Sequence, residues 1–273
     1  MYRVTESTQL RELLLARPRG FVPTMGALHD GHLALVRASK ERCSSTVVSI
    51  FVNPMQFAPH EDLTRYPRDI DSDCEKLEAA GVDCVFLPRV EEIYPPEFST
   101  TVDVGALGHV FEGAARPAHF RGVTTIVAKL LNLVQPDLLF LGQKDAQQTA
   151  VVQAMIRDLS IATQIAIVPT TREPDGLAMS SRNAYLDAAQ RCQAVTLAKA
   201  IGALRDALAA GQHKSDALAL AASVLAPQAT LEYLDVVDAT TFTPLDALRP
   251  PYFVIGAARF GETRLLDNVM CLT

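Results

Sequence analysis

GFVPTMGALHDGH, residues 20–32, decides how this chain is read. GFVPT (20–24) is a short apolar run of strand character, and GHLALVRASKER (31–42) carries helical apolar spacing. Between them lie glycines and two imidazoles, His29 and His32, three positions apart. A strand that feeds into a helix through a glycine-bearing turn is one unit of an α/β fold. If the helix starts early enough, side chains at i and i+3 face the same spot. Gly31 and His32 would then open the helix, where N–H groups and the helix dipole favour an anion. Gly26 and Gly31 would leave bare backbone for a ligand to lie against. The residues alone allow three readings. One is a polyphosphate site. Another is a metal site, for which H-x-x-H without a third ligand is thin. The third is a turn with two solvated histidines.

The same alternation continues outward. STVVSIFVNP (45–54) is a buried strand, DIDSDCEKLEAAG (69–81) a helix closing at Gly81, and VDCVFLP (82–88) another strand. GVTTIVAKLLNLVQ (122–135) reads as a helix, PDLLFLG (136–142) as a strand, DAQQTAVVQAMIRDLS (145–160) as a helix and TQIAIVPT (163–170) as the last strand. This pattern predicts an α/β, Rossmann-like, doubly wound parallel sheet over residues 1–171. TREPDGLAMSSRN (171–183) is polar and turn-rich, a linker or hinge. Beyond it come a long Ala-rich helix (187–211) with Asp187 placed as its cap, and a shorter one (215–226). Strands follow at 230–238, 251–260 and 263–270, the last two joined by Gly261-Glu262. Residues 172–273 therefore read as a smaller C-terminal α+β domain.

Composition sets the bounds. The 273 residues carry a net charge of −6, which argues against a nucleic-acid partner but not against a nucleotide in a small basic pocket. No run approaches a membrane span, and the N-terminus lacks the pattern of a secretory leader. Cys43, Cys74, Cys84, Cys192 and Cys271 are scattered, without a C-x-x-C pair, as expected of a reduced, cytoplasmic protein.

Polar motifs fall where strands end: PTMGALHDGH, NPMQF (53–57), GQKDAQQ (142–148) and TREPDGLAMSSRN. In an open parallel sheet all strand C-ends lie on one edge, and ligands bind there. Four motifs are thus expected at one crevice.

HDGH is similar to the H-x-G-H motif of the nucleotidyltransferase and class I aminoacyl-tRNA synthetase superfamily, and MSSRN (179–183) sits where that superfamily carries its K-M-S-K-S-like loop. The longer strings PTMGALHDGH, SIFVNPMQF, YPRD, HFRGV, GQKDAQQ and GLAMSSRN, in that order, resemble the pantoate–β-alanine ligase family over essentially the whole chain. The resemblance implies ATP and Mg²⁺ as co-substrate and cofactor, pantoate and β-alanine as substrates, a pantoyl adenylate intermediate, release of AMP and pyrophosphate, and a homodimer through the N-terminal domain. It implies that His32 is catalytic and His29 touches the phosphates, together with Lys144, Ser180, Ser181 and Arg182. Gly142 and Asp145 would face the ribose, Met25 and Met179 border the nucleotide, with Gly26 beside them, and the backbone near Thr171 meet the adenine. Gln56 and Gln148 would contact pantoate, with Pro23, Met25 and Phe57 as the apolar wall. Asp73 would help hold Mg²⁺ through water. Many relatives carry Glu where this chain has Gln143.

These residue types suit the chemistry. A carboxylate is ionised at neutral pH and needs no general base to attack a phosphorus. Catalysis then rests on positioning and on stabilising triphosphate charge. Neutral glutamines can orient a carboxylate nucleophile without tying up its lone pairs as a bidentate arginine would. The amine of β-alanine must lose a proton, and the sequence offers no dedicated base. His119 and Arg121, in HFRGV, could line the site because they match the family string, whereas Lys129 reads as a solvated or snorkelling side chain and His60, His109 and His213 as residues without a role. Two rival functions remain at this level: a nucleotidyltransferase acting on a phosphorylated acceptor, which would want a basic acceptor pocket, and a nucleotide sensor without catalysis. In the ligase, the DGLAMSSRN loop and the C-terminal domain are expected to close over ATP.

Overall fold

The computed structural model describes residues 1–59 and 61–272; His60 lies outside the described residues. The chain forms two compact units, one of Met1–Gly142 and Gln147–Val168, the other of Gln143–Ala146 and Pro169–Thr273.

In the first unit, β1 (Tyr2–Val4) and α1 (Ser7–Glu12) precede β2 (Arg19–Thr24), α2 (Asp30–Arg42), β3 (Ser45–Ile50), α3 (Ile70–Ala79) and β4 (Cys84–Phe86). After the short helices α4 (Val90–Ile93) and α5 (Glu112–Ala115) come α6 (His119–Val134), β5 (Leu138–Gly142), α7 (Ala146–Asp158) and β6 (Gln164–Val168). The six strands form one sheet, ordered β1-β4-β3-β2-β5-β6, and every pairing is parallel. This is the predicted doubly wound sheet. The strand order reverses between β2 and β5, so the topological switch point lies where the segments after Thr24 and Gly142 begin.

Side chains alternate across the sheet, and both faces are buried. Phe21, Val47, Phe86 and Leu139 face a core completed by Val123, Val127 and Leu131 of α6 and Val151 and Met155 of α7. Their neighbours Val22, Val48, Val85 and Phe140 face a second core with Leu35, Val36 and Leu77 of α2 and α3. Burial on both faces explains why the strands read as continuous apolar runs.

The structure extends the sequence reading at two places. Tyr2–Val4 adds an edge strand paired with β4, too short to carry a periodic signal. Helix α6 starts at His119 rather than 122, after Ala118 in a left-handed conformation, and buries twelve of its sixteen residues. HFRGV is therefore helical.

In the second unit, α8 (Ala188–Ala209) and α9 (Lys214–Val224) cover an antiparallel sheet of β7 (Ala229–Asp238), β8 (Tyr252–Phe260) and β9 (Thr263–Cys271). Asp187 caps α8 in a reciprocal box with Gln190, as its position predicts. Leu197, Ile201 and Leu204 of α8 pack on Val236, Val254, Ala258, Phe260 and Leu265 of the sheet. Among the described residues no helix is long and apolar enough to cross a membrane. All five cysteines are free thiols.

Candidate active site

The chain leaves β2 at Thr24 and enters α2 with His29 as its N-cap. His29 Nδ1 accepts the backbone N–H of Gly31 at 3.1 Å, and His32 Nδ1 accepts that of His29 at 3.4 Å. The two rings stand 4.1 Å apart, centroid to centroid. An imidazole whose Nδ1 is an acceptor carries its neutral-form proton on Nε2. The lock thus turns both side chains into oriented Nε2–H donors.

It also corrects the expectation of open N–H groups at this helix start. The Gly31 N–H is capped by His29 Nδ1, and the His32 N–H reaches the His29 carbonyl at 2.9 Å. These two backbone donors are spent on capping, and the imidazole Nε2–H groups remain as the oriented side-chain donors of this turn.

Asp73, on α3, fixes the same loop from beneath. Its side chain is 2% exposed; Oδ2 accepts the N–H of Ala27 and Oδ1 that of Leu28, both at 2.8 Å. Lys76 donates to the Leu28 carbonyl at 2.9 Å and lies 3.8 Å from Asp73 Oδ1. Asp73 is thus a loop brace, buried and committed to backbone donors. Gly26 makes room for it: its φ is +84°, and a Cβ there would come within 3.0 Å of Asp73 Oδ2.

The NPMQF turn follows β3. Asn53 caps it, taking the Met55 N–H and the Tyr94 hydroxyl proton on Oδ1 and donating from Nδ2 to Gln56 Oε1 and the Gly122 carbonyl, both at 3.1 Å. Gln56 is buried, and its Nε2 lies 3.0 Å from Met25 Sδ, so the structure brings these two expected site residues together. Pro23, Met25 and Phe57 are half-buried. His119 stands behind the turn. Nδ1 is 2.9 Å from the Gln56 carbonyl and Nε2 is 3.2 Å from Arg116, which itself pairs with Glu61. Burial first, and the Arg116 charge next, push the His119 pKa down to about 4. It is a neutral support of Gln56, while Arg121 is exposed. Lys129 Nζ sits 4.4 Å from the centre of the Phe98 ring, a surface cation over an aromatic face.

In DAQQ, sequence alone does not separate the two amides. Gln147 is buried and bonded to Leu107, Val110 and Glu112, so it is scaffold. Gln148 is half-exposed, as a ligand contact requires.

In the second unit, Lys144 sits on the turn Gln143–Asp145, its Nζ 3.2 Å from Asp145 Oδ1. The segment 171–183 is folded onto this unit rather than a loose linker. Arg172 bridges Ala178, Met179 N–H bonds the Thr171 carbonyl at 3.0 Å, and Ser180 caps the turn Ser181–Tyr185. Arg191 holds Glu173 and Asp175 at 2.9 and 2.7 Å. Lys144 and Ser180 line one small cavity with Leu177, Ala178 and Asp267. Asp267 and Asn268, which hold these segments, went unread in the sequence; their only signal is a polar pair between the apolar Leu265-Leu266 and Val269-Met270.

The sequence matches the profile of the family described as pantoate–β-alanine ligase over residues 3–270. This chain belongs to that family. Among curated members, the pantothenate synthetase of Chloroflexus aurantiacus is 53% identical over 253 residues, covering 91% of this chain and 90% of the relative. The crystal structure of pantothenate synthetase from Thermus thermophilus superposes with a TM-score of 0.97 at 45% identity, covering all of both chains. That of the pantoate–β-alanine ligase from Francisella tularensis, complexed with β,γ-ATP and β-alanine, does so with a TM-score of 0.78 at 32% identity, over 99% of this chain and 97% of that one.

For a pantoate–β-alanine ligase, the donor set is informative. Two imidazoles, a lysine, two serines and an arginine are anion donors. Each of these residue types suits phosphate oxygens. Among the described residues no three His, Cys, Asp or Glu side chains are grouped as a metal cage.

Proposed function

We propose that this protein joins (R)-pantoate to β-alanine at the expense of ATP, through pantoyl adenylate, releasing pyrophosphate and AMP. The observation that carries this reading is the reciprocal His29–His32 lock, on a loop whose Met25 touches Gln56. It combines charge-stabilising donors with a neutral, half-apolar contact for a small hydroxy acid.

Gln56 and Gln148 orient pantoate, and its geminal methyl groups lie on Pro23, Met25 and Phe57. The carboxylate attacks the α-phosphorus of ATP. Charge building on the phosphate oxygens is met by the Nε2–H groups of His29 and His32 and by Lys144, Ser180, Ser181 and Arg182. Preorganised donors of this kind typically contribute several kcal/mol, roughly 3 per donor. Gly142 and Asp145 hold the ribose, Met25, Gly26 and Met179 flank the nucleotide, and the backbone at Thr171 meets the adenine. Mg²⁺ comes with the phosphates, since the ion is commonly held by substrate oxygens and water. In the second step the neutral amine of β-alanine attacks the acyl carbon and AMP leaves. Residues 172–273 act as the lid-bearing domain, and the loop 171–186 covers ATP, which protects the adenylate from water. We further propose that the enzyme works in the cytoplasm as a homodimer through residues 1–171.

AMP release from ATP, with pantoate and β-alanine omitted in turn, tests the reaction. Pyrophosphate exchange into ATP that requires pantoate supports it. Exchange driven only by a phosphorylated acceptor would establish a nucleotidyltransferase instead, and no exchange with tight ATP binding a sensor. ATP should also protect 171–186 from proteolysis; unchanged cleavage would remove the covering role.

A further inference from the structure

Asp267 and Asn268 are adjacent on β9, so their side chains leave the strand in opposite directions. Both are buried, at 4% and 2% exposure. Each reaches a different segment of the phosphate machinery proposed above. Asn268 Nδ2 donates to the carbonyls of Gln143 and Lys144, at 2.9 and 2.7 Å. Asp267 accepts both Nη groups of Arg172, at 2.6 and 2.9 Å. Arg172 also donates to the carbonyls of Gly176 and Asn268, at 3.0 and 3.3 Å.

The hydrogen bonds of Asn268 are one-sided. Both donors are used, while Oδ1 is buried without a hydrogen-bond partner. A buried orphan acceptor is costly, and an apolar side chain of similar size would not bear that cost. The amide is placed for its donors. Those donors end on the turn that carries Lys144, and nothing else in β9 holds that turn by a side chain among the bonds described. Asp267 is likewise too buried for a surface ion pair, and its paired geometry with Arg172 fixes direction as well as distance. Lys144, Ser180 and Asp267 border the same cavity.

We infer that Asp267 and Asn268 are positioning residues, which hold the Lys144 turn and the 171–183 segment in register so that lysine, serines and Arg182 meet one triphosphate. Neither touches the nucleotide. This inference rests on the proposed phosphate-binding role of Lys144 and Ser180–Arg182.

The test is a double-mutant cycle read by titration calorimetry with ATP. Asn268→Ser should weaken ATP binding about tenfold in the native background. In a Lys144→Ala background it should weaken it less than twofold further, because the group it positions is gone. Pantoate binding should not change. A second arm pairs Asp267→Asn with Arg182→Ala and carries the same expectation, and it decides the matter if thermal melting shows that the serine variant does not fold. Equal losses in both backgrounds, or a parallel loss of pantoate binding, would show a general structural role and overturn the inference. Pantoate-dependent pyrophosphate exchange by the native protein is measured alongside. If exchange fails while the ATP coupling persists, the ligase reading falls and the positioning role stands.

Discussion

Asp73 Oδ2 accepts the backbone N–H of Ala27 at 2.8 Å, from a helix 46 residues further along the chain. With the matching bond to Leu28, it sets the path of the loop that delivers His29. Asp73→Asn keeps the shape but offers only one acceptor oxygen, leaving one buried N–H without a partner. The expected loss is about 1–3 kcal/mol of stability by urea unfolding. ATP affinity should fall as well, while the Mg²⁺ concentration for half-maximal rate stays unchanged. A marked rise in that concentration would return Asp73 to the role of cation holder.

His32 separates two jobs within one ring. Nδ1 locks the loop, and in the proposed reaction Nε2–H meets the substrate charge. Asparagine places an acceptor near the Nδ1 position and nothing at Nε2, so His32→Asn should melt close to the native temperature. It should slow pantoate-dependent exchange by about 2–4 kcal/mol of barrier, roughly a hundredfold to a thousandfold. Glutamine reaches the Nε2 position with an N–H, and His32→Gln should recover part of that rate. Equal activity of the asparagine and native proteins would remove His32 from the chemistry.

His119 gives a pH signature. Its folded-state pKa, lowered to about 4 by burial and then by Arg116, lies below that of an exposed imidazole. The unfolded chain therefore binds the extra proton between about pH 6.5 and 4, and stability rises with pH across that window. The native protein should lose on the order of 2–3 kcal/mol from this residue as pH falls from 7 to 4. His119→Asn lacks the titration but keeps a donor toward the Gln56 carbonyl. The difference between the two unfolding curves should open only below pH 6.5, and a constant difference at all pH values would contradict the assignment.

Gly122 lets α6 approach the NPMQF turn. A Cβ there would stand 2.3 Å from the Met55 carbonyl oxygen, with backbone on both sides. Gly122→Ala must push the turn away, and Gln56 with it. We expect a loss of about 1–3 kcal/mol in stability, typical of overpacking. The KM for pantoate should rise more than the KM for ATP, because the displaced turn carries Gln56 and not the phosphate donors. An equal rise in both would place the damage elsewhere.

The sequence by itself determined the parallel sheet, the order of its helices, the second unit's long helix and hairpin, and the strand-end position of every motif. These follow from local signals. Val47 and Val48 are both apolar because the sheet is covered on both faces, and Asp187 caps α8 through the residues next to it. Tertiary structure decided the use of particular polar residues. Asp73 braces the loop and Gly26 makes room for it, which no local signal announces, and Asn268 did not stand out at all. A hydrogen bond between segments 46 or 124 residues apart leaves no periodic trace in the chain. Burial decides whether a carboxylate or amide serves backbone, ion or substrate, and burial is set only when distant elements pack.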